Sequence, residues 1–399
     1  MFHVKQRPVL SLPKGRLALI LGVFVLAALL SGCAGTVGSR GWAPPVRTDD
    51  ELLVSTGKGR LDSLDADTYE GLWRFPNQWD LSGAAGRLSG IYGPPVVNAD
   101  GVVFVGDYNG YVYAFRPADL SRTTEGEPPA ASFKLSEKII GGVALDEASD
   151  TLFVAAGSSL YAIRADDLVA RIRDEKASVT VARLFKAGGE IWSTPVLASG
   201  KLLVSSLDGN LYAVDARSGS QLWRFSAGKS LASTPVVSGG VVLVGGFDGR
   251  LHAVDLDSGD EAWSFTASNW VWSRPYVAGE RVYFGDFDGN LYAVELSSGT
   301  LAWKASLGRG AIRGSPVITA GVVVVATEEG WLLGIDPSSQ AKRWEKELDA
   351  SLNGDLVADG DTVLIAPSGC VQPAGTEEKV YYASVDAATG ELRSASGVC

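Results

Sequence analysis

The chain has 399 residues, of which 46% are hydrophobic and 20% are charged, a composition that excludes an intrinsically disordered protein. Its formal net charge is −11, with 46 Asp and Glu against 35 Lys and Arg, which disfavours binding to nucleic acid. The 48 Gly, 12 Tyr and 11 Trp are typical of short strands joined by tight turns.

The N-terminal segment is typical of an export signal. Four basic residues precede the apolar run LALILGVFVLAALL at 17–30, and small residues lead from there to Cys33. The run is shorter than the roughly 20 residues that span a bilayer as a helix. The segment LSGC resembles the lipobox of bacterial lipoproteins, in which the cysteine is acylated and becomes the new N-terminus. We predict a lipoprotein signal peptide at 1–32, lipidation of Cys33 and a tether at 33–41; an ordinary signal peptide or an uncleaved anchor is the alternative.

Cleavage before Cys33 would change the charge of the mature chain. It removes four basic residues and no acidic ones, which leaves 31 Lys and Arg against 46 Asp and Glu, a net charge of −15. Acyl chains, and not a basic surface, would then attach the protein to lipid. We expect an exported protein anchored to the bacterial cell membrane or outer membrane, facing the periplasm or the surface.

A heptapeptide recurs along the rest of the chain. DGNLYAV occurs at 208–214 and 288–294, and DGRLHAV lies between them at 248–254. Around each copy, an opening Pro, two Val-rich runs separated by Gly, an Asp-Gly pair and a closing Trp form a unit of about 40 residues. Because Val-rich runs bounded by Gly and Asp-Gly are strand and hairpin signals, each unit is predicted to form four antiparallel strands.

Eight such units follow one another. Weaker copies occupy 44–75, 94–115 and 141–163, clear copies open at Pro195, Pro235, Pro275 and Pro316, and the last copy runs from Gly354 to 392 with an insertion. Eight four-stranded units predict an all-β, eight-bladed β-propeller over 42–399. An open solenoid is the alternative, disfavoured because its sheet edges would need caps. The third unit carries a charged insertion, DLVARIRDEK at 167–176, which we predict to be a loop or a short helix.

The recurring pattern DGxLYAVDxxSGxxxW resembles the repeat of pyrroloquinoline-quinone-type propellers. In that family, the Trp of each outer strand docks on the neighbouring blade near the Gly of the Ser/Thr-Gly turn. The resemblance implies a structural, blade-docking role for Trp73, Trp223, Trp263, Trp303 and Trp344. The repeated heptapeptide is therefore expected to serve packing.

Quinoprotein dehydrogenases share this repeat, but their site is missing here. The resemblance would require a vicinal Cys-Cys pair and a calcium site beside the quinone, and the sequence has no Cys-Cys and no C-x-x-C-H haem motif. The one His after the signal segment is His252, which replaces Tyr in the heptapeptide, so a Ser–His or Cys–His site has no other base. We expect no enzyme activity, no catalytic residue and no cofactor, with carboxylate-only chemistry left open.

The segment DFDGN at 286–290 resembles a calcium loop only in part. Its Gly falls two positions too early for the EF-hand pattern, and Ser297 stands where a bidentate Glu is needed. We predict hairpin turns and no metal site.

Cys370 and Cys399 remain after the signal segment. In an exported chain, an even pair of cysteines is more often a disulfide than two free thiols. The two residues follow the second and fourth strands of the last unit, and these strands run in the same direction. We predict a disulfide between them, with two unpaired thiols as the alternative.

The residues before each opening Pro enter the innermost strand, near one mouth of the central channel. Aromatic and Arg side chains concentrate there, and these residue types are enriched at interface hot spots and in ligand pockets. Filling the channel mouth or capping the core is the alternative role. The candidate binding surface comprises Trp42, Tyr92, Trp192, Asn269, Trp270, Trp272, Arg274 and Arg313.

A lipobox, a short tether and an eight-bladed propeller of this repeat occur together in the BamB family, lipoproteins of the outer-membrane β-barrel assembly machinery, which the whole chain resembles. The resemblance implies a non-catalytic, lipid-anchored scaffold with an envelope protein partner such as a β-barrel assembly protein. A lipid-anchored propeller that binds or senses a peptide, glycan or quinone is one alternative. A reduced calcium–quinone dehydrogenase is the other.

Overall fold

The computed structural model describes residues 43–56, 59–76, 88–120, 130–348, 350–367 and 380–398. Four residues singled out from the sequence lie outside these ranges, as do the signal peptide at 1–32 and the tether at 33–41. Their roles stay predictions. The four residues are Cys33, Trp42, Cys370 and Cys399.

The described residues form eight sheets of four antiparallel strands each, arranged in a ring as a β-propeller. The predicted all-β, eight-bladed propeller is therefore confirmed. Within every blade the four strands are consecutive in the chain and pair in sequence order. We number the blades one to eight from the N-terminus.

The strands have the following bounds. Blades one to four contain β1–β4 (Val46–Arg47, Glu51–Thr56, Arg60–Asp65, Gly71–Phe75), β5–β8 (Val96–Val97, Val103–Gly106, Tyr111–Phe115, Ala130–Lys134), β9–β12 (Ile139–Asp146, Thr151–Ala156, Ser159–Arg164, Val181–Lys186) and β13–β16 (Val196–Ala198, Lys201–Ser205, Asn210–Asp215, Gln221–Ser226). Blades five to eight contain β17–β20 (Val236–Ser238, Val241–Gly245, Arg250–Asp255, Glu261–Thr266), β21–β24 (Tyr276–Ala278, Arg281–Gly285, Asn290–Glu295, Leu301–Ser306), β25–β28 (Val317–Thr319, Val322–Ala326, Trp331–Ile335, Lys342–Glu347) and β29–β32 (Val357–Asp359, Thr362–Ile365, Val380–Asp386, Leu392–Val398).

Helical structure is confined to short connections in the described part of the chain. Helices span Pro117–Leu120 and Ala165–Ala170, and a 3₁₀ turn covers Glu147–Ser149. The second helix begins just before the charged insertion predicted in the third unit and includes its first residues. Among the residues described, no helix combines the length and the apolar character needed to cross a bilayer.

The two middle strands of a blade are buried on both faces because a neighbouring blade covers each face. In β18 four of the five residues are buried, and in β19 four of the six are, so these strands show apolar runs and not simple alternation. The outer strand β20 is mostly exposed or half-buried. The apolar core therefore lies between blades.

Close to the axis, the blades meet through small residues two positions before the opening Pro. A Cβ atom at Gly141 would lie 2.2 Å from the carbonyl oxygen of Ser193, and one at Gly314 would lie 2.1 Å from that of Gly354. Ser233 donates a 3.2 Å hydrogen bond to the carbonyl of Ser273 in the next blade. Larger side chains at these positions would force neighbouring blades apart.

Three of the five predicted docking Trp residues bond to the next blade. Trp223 Nε1 donates to the carbonyl of Leu256 at 3.0 Å, and Trp263 Nε1 donates to that of Leu296 at 2.9 Å. Trp344 Nε1 makes the same bond to Ala387 at 2.9 Å. Each indole also covers the Gly of the adjacent turn. A Cβ atom added at that Gly would lie 2.4 to 2.7 Å from the ring.

The other two Trp residues are placed differently. Trp73 Nε1 bonds to Glu51 of its own blade at 2.8 Å, and its ring meets the edge of Phe115 in blade two at 5.5 Å. Trp303 is 5% exposed and packs in the core between blades six and seven. Its Nε1 has no hydrogen-bond partner among the described residues. Blade seven has Gln340 where the equivalent turns of blades four, five, six and eight have Gly.

The ring closes by contact between the faces of blades one and eight. Leu52 and Val54 of blade one form a buried cluster with Leu364 and Tyr382 of blade eight. At the inner edge, Arg47 of blade one forms an ion pair with Asp359 of blade eight. All four strands of blade one come from the N-terminal end of the chain, and all four strands of blade eight come from the C-terminal end. The two blades therefore share no sheet, and packing and this ion pair join them.

Candidate binding site at the channel mouth

Two rings of side chains line one end of the central channel, because alternate residues of an extended chain point to the same side. In each blade, the mouth ring takes the residue three positions before the opening Pro, or before the residue that stands in place of this Pro. The inner ring takes the residue one position before the same point. The described mouth ring consists of Tyr92, Ile140, Trp192, Ala232, Trp272, Arg313 and Asn353, and the inner ring of Pro44, Pro94, Gly142, Thr194, Thr234, Arg274, Ser315 and Asp355.

A cavity of about 450 Å³ is lined by residues of both rings and, beyond them, by residues of the first strands such as Leu145 and Leu197. Of the eight residues predicted for the channel mouth, five line it: Tyr92, Trp192, Trp272, Arg274 and Arg313. Asn353 and Asp355, which the sequence analysis missed, complete the wall on the side of blade eight. Blade eight has Leu356 in place of the opening Pro, so a pattern based on that Pro does not mark these two positions.

A second cavity of about 610 Å³ lies between the first strands of the blades. Four inner-ring residues line both cavities, namely Pro44, Pro94, Arg274 and Asp355. The two cavities therefore meet at these four residues.

Inner-ring side chains also link consecutive blades. Thr194 Oγ1 accepts a hydrogen bond from the backbone N–H of Gly142 at 3.0 Å, and Thr194 in turn donates its N–H to Thr234 Oγ1 at 3.2 Å. The N–H of Ser315 donates to Asp355 Oδ1 at 2.7 Å. Arg274 occupies the same position in blade six. Its guanidinium has no acceptor atom, so it cannot accept such a hydrogen bond from the preceding blade.

Arg274 and Asp355 face each other across the position of blade seven. Arg274 Nη1 lies 3.8 Å from Asp355 Oδ2, and the exposed fractions of the two side chains are 47% and 22%. Burial raises the pKa of Asp355, and the charge of Arg274 and the bond from Ser315 oppose that rise. The inner ring thus carries one positive and one negative group in loose contact.

Aromatic rings surround Trp272. Its ring centroid lies 6.1 Å from that of Trp192, 5.5 Å from that of Phe247 and 5.9 Å from that of Phe287, which stacks on it at 7°. The guanidinium of Arg313 lies 5.2 Å from the Trp272 centroid, a cation–π distance.

Arg313 is held by an ion pair as well. Its Nη2 lies 2.8 Å from Glu328 Oε1, and its side chain is 10% exposed. Burial lowers the pKa of Arg313, and Glu328 opposes that effect. Arg313 is therefore closely paired and largely buried, whereas Arg274 is more exposed and lies 3.8 Å from its carboxylate.

The aromatic surface continues outward from the cavity. Trp270 stacks on Phe247 at 4.9 Å and 15°, and its ring lies 5.5 Å from Phe287. Asn269 Nδ2 donates to Asp288 Oδ1 at 2.7 Å, which ties this loop to the neighbouring turn. Neither Asn269 nor Trp270 lines the cavity. We name Phe247, Trp270 and Phe287 the rim cluster.

Phe247 and Phe287 were not singled out from the sequence. They occupy the second position of the turns GFDG and DFDG, which hairpin geometry alone explains. Comparing the equivalent turn positions of the blades would have indicated them, because blade two also has an aromatic residue there, Tyr108. In the structure, Tyr108 packs on Tyr92 with ring centroids 5.6 Å apart.

On the side facing blade three, polar contacts fix the indole of Trp192. Its Nε1 donates to Glu190 Oε2 at 2.9 Å, and Glu190 pairs with Lys138 of blade three at 3.2 Å. Lys138 lies 5.7 Å above the ring of Tyr108. The orientation of the Trp192 ring is therefore fixed by contacts within the protein.

The titratable groups considered for catalysis lie elsewhere. His252 is 3% exposed and bonds to Glu261 Oε1 at 2.7 Å and to Asp248 Oδ2 at 3.1 Å. Asp286, the first residue of the DFDGN segment, is fully buried and accepts hydrogen bonds from Asn290 N at 2.9 Å and Tyr292 Oη at 2.8 Å. Among the described residues, no group of three or more His, Cys, Asp or Glu side chains is placed to hold a metal ion.

Comparison with known proteins identifies the family. A family model described as outer membrane protein assembly factor BamB matches residues 33–216 and 207–391. The chain belongs to the BamB family. The resemblance read from the repeats is thereby confirmed, and the family match extends from blade one into blade eight of the BamB-type ring.

Solved structures support the fold. The computationally designed Ika8 protein has a TM-score of 0.64 and 14% identity over 88% of this chain and 98% of its own. BamB from Moraxella catarrhalis has a TM-score of 0.55 and 16% identity over 74% of this chain and 91% of its own. At these identities the likeness to BamB structures shows the fold alone. No curated protein sequence matches the chain.

Proposed function

We propose that the chain is a non-catalytic, lipid-anchored scaffold of the bacterial cell envelope that takes part in outer-membrane protein assembly. Membership of the BamB family, matched over residues 33–391, is the observation that carries this proposal. The match begins at the cysteine predicted to be lipidated, as expected for a mature chain that starts there. The partner is an envelope protein of the β-barrel assembly machinery.

The rim cluster is the surface we assign to that partner. Phe247, Trp270 and Phe287 are half-buried, so part of each ring faces solvent at the end of the ring of blades. Aromatic side chains grouped in this way are typical of interface hot spots. Asp248 and Asp288 beside them offer polar contacts at the edge.

Site-specific cross-linking in native membranes tests the scaffold. A photo-reactive amino acid replaces Phe287 in one variant and Leu222 in the control, because Leu222 lies on an outer strand and is 48% exposed. We expect an outer-membrane barrel-assembly protein to be captured from position 287 and not from position 222. Capture of no specific protein from either position, or equal capture from both, contradicts the proposal.

The anchor is tested separately. Cys33→Ser removes the predicted acylation site, and Cys370→Ser is the control because it removes a cysteine that we do not expect to be acylated. We expect only Cys33→Ser to lose incorporation of an alkyne-labelled fatty acid and to leave the membrane fraction. Retention of the label in Cys33→Ser refutes the lipoprotein assignment.

A further inference from the structure

We propose that the mouth cavity binds a small carboxylate with a flat apolar body, its carboxylate on Arg274 and its body against the Trp192–Trp272 pair. This site goes beyond the scaffold function and does not rest on it. The scaffold uses the outer surface of the rim, whereas the ligand would lie inside the cavity.

Arg274 is the first observation. It stands at an inner-ring position where three other blades place an acceptor for a neighbouring N–H, namely Thr194, Thr234 and Asp355, and its side chain is 47% exposed. The 3.8 Å contact with Asp355 is longer than a hydrogen bond. A guanidinium has five N–H donors in a fork that matches a carboxylate, so Arg274 keeps donors for a ligand.

Thr234 supplies a second donor beside it. Its side chain accepts the N–H of Thr194, and by the same pattern its own N–H points toward the position of Arg274 in the next blade. Within the described residues, no acceptor is found for the Thr234 N–H. An anion on Arg274 would provide that acceptor, as Asp355 does for Ser315 two blades further around the ring.

The apolar part of the site comes from the mouth ring. Ala232 of blade five is small, and Trp192 and Trp272 from the two flanking blades meet across it with ring centroids 6.1 Å apart. Both indoles line the cavity. Its volume of about 450 Å³ is within the range of small-molecule sites.

The charges select the sign of the ligand. Arg313 is paired with Glu328 at 2.8 Å, and Lys138 is paired with Glu190 at 3.2 Å, so these groups are neutralised. Asp355 is the competitor of a ligand carboxylate for Arg274, because it lies opposite the same guanidinium. A cationic ligand would meet the exposed Arg274 and is disfavoured.

The test uses two probes of the same shape, one with a charged carboxylate and one with a neutral amide. The full-length protein in neutral detergent is titrated with 3-phenylpropionate and, as control, with 3-phenylpropionamide, and intrinsic Trp fluorescence is followed. We expect saturable binding of the acid, with the amide weaker by about tenfold or more because it loses charge-assisted hydrogen bonds. No saturable signal with the acid, or equal binding of acid and amide, overturns the proposal.

Three variants locate the carboxylate. Arg274→Gln should remove the preference for acid over amide. Asp355→Asn keeps an oxygen for the Ser315 N–H but removes the competing charge, so the acid should bind about threefold tighter or more. Arg250→Gln, at the exposed first residue of β19, is the control and should change neither affinity.

Thermal unfolding of each variant confirms that it is folded before its titration is interpreted. A preference that survives Arg274→Gln overturns the site, and so does weaker acid binding in Asp355→Asn. These titrations are independent of partner capture at position 287. Failure of the ligand site is therefore distinguishable from failure of the scaffold.

Discussion

Trp192 and Trp272 belong to blades four and six, yet their ring centroids lie 6.1 Å apart. The residue between them in the mouth ring is Ala232 of blade five, which is 5% exposed and fills little space. A small residue in one blade thus lets two non-neighbouring blades contact each other. This contact closes one side of the cavity.

Enlarging Ala232 should break this contact. Ala232→Leu adds three carbon atoms between the indoles, and we expect overpacking that costs about 1–3 kcal/mol unless the two rings separate. Coupling between the indoles in circular dichroism should weaken at the same time. Ala232→Gly adds no atoms and should keep the coupling; a Leu variant with unchanged coupling would show that the rings do not meet over blade five.

Docking of Trp223 on Gly259 can be tested with a matched pair of glycines. Gly259 and Gly240 both have φ of +80°, so Ala at either position carries the same backbone strain. Only at Gly259 would the new Cβ lie 2.7 Å from the indole of Trp223, whereas the space at Gly240 is open. We expect Gly259→Ala to lower the free energy of unfolding by about 1–3 kcal/mol more than Gly240→Ala. Equal losses in urea unfolding contradict the docking geometry.

The repeats predict the fold because the same local physics acts in every blade. Asp-Gly turns set the hairpins, and small residues before Pro195 and Pro235 allow the blades to approach at the axis. The mouth-ring residues Trp192 and Trp272 follow from that register. Their direction into the channel is thus deducible from the repeat and the alternation of side chains along an extended chain.

The remaining part of the site could not be deduced in that way. The alternation that directs side chains into the channel starts at the mouth ring, and Asn269 and Trp270 precede it in a loop over the rim. Phe247 reaches the site from a turn whose sequence has its own local explanation. The contact of Arg274 with Asp355 joins blades six and eight, and no spacing within one repeat encodes such a pair.

The substitution His252→Tyr should remove a pH dependence of stability. Burial alone would lower the pKa of His252, but its hydrogen bonds to Asp248 and Glu261 outweigh burial and raise that pKa. A raised pKa in the folded state means that the stabilisation is fully present below the unfolded value of about 6.5 and is lost as pH rises through the folded pKa. His252 is packed against the ring of Phe225 at 5.1 Å, which keeps it from water.

Tyr is the natural replacement for His252, because Tyr212 Oη donates to Asp208 at 2.7 Å at the same position in blade four. Urea unfolding of both proteins from pH 5.5 to 9 measures the effect. We expect the wild-type chain to lose stability relative to His252→Tyr as pH rises above about 6.5. A difference that stays constant over this range means that His252 does not gain a proton on folding.

The last prediction concerns the closure between blades one and eight. Tyr382 is fully buried there, 5.9 Å from the ring of Tyr69, and its hydroxyl has no hydrogen-bond partner in the described part of the chain. Tyr292 is its matched control, because it is 2% exposed but donates to the buried carboxylate of Asp286. Tyr382→Phe should therefore change the free energy of unfolding by less than about 0.5 kcal/mol or increase it, while Tyr292→Phe should cost about 1–3 kcal/mol because it leaves Asp286 short of a donor. Equal costs in urea unfolding would mean that the Tyr382 hydroxyl finds a partner at the closure, so that a buried hydrogen bond acts together with packing and the Arg47–Asp359 ion pair to hold the ring shut.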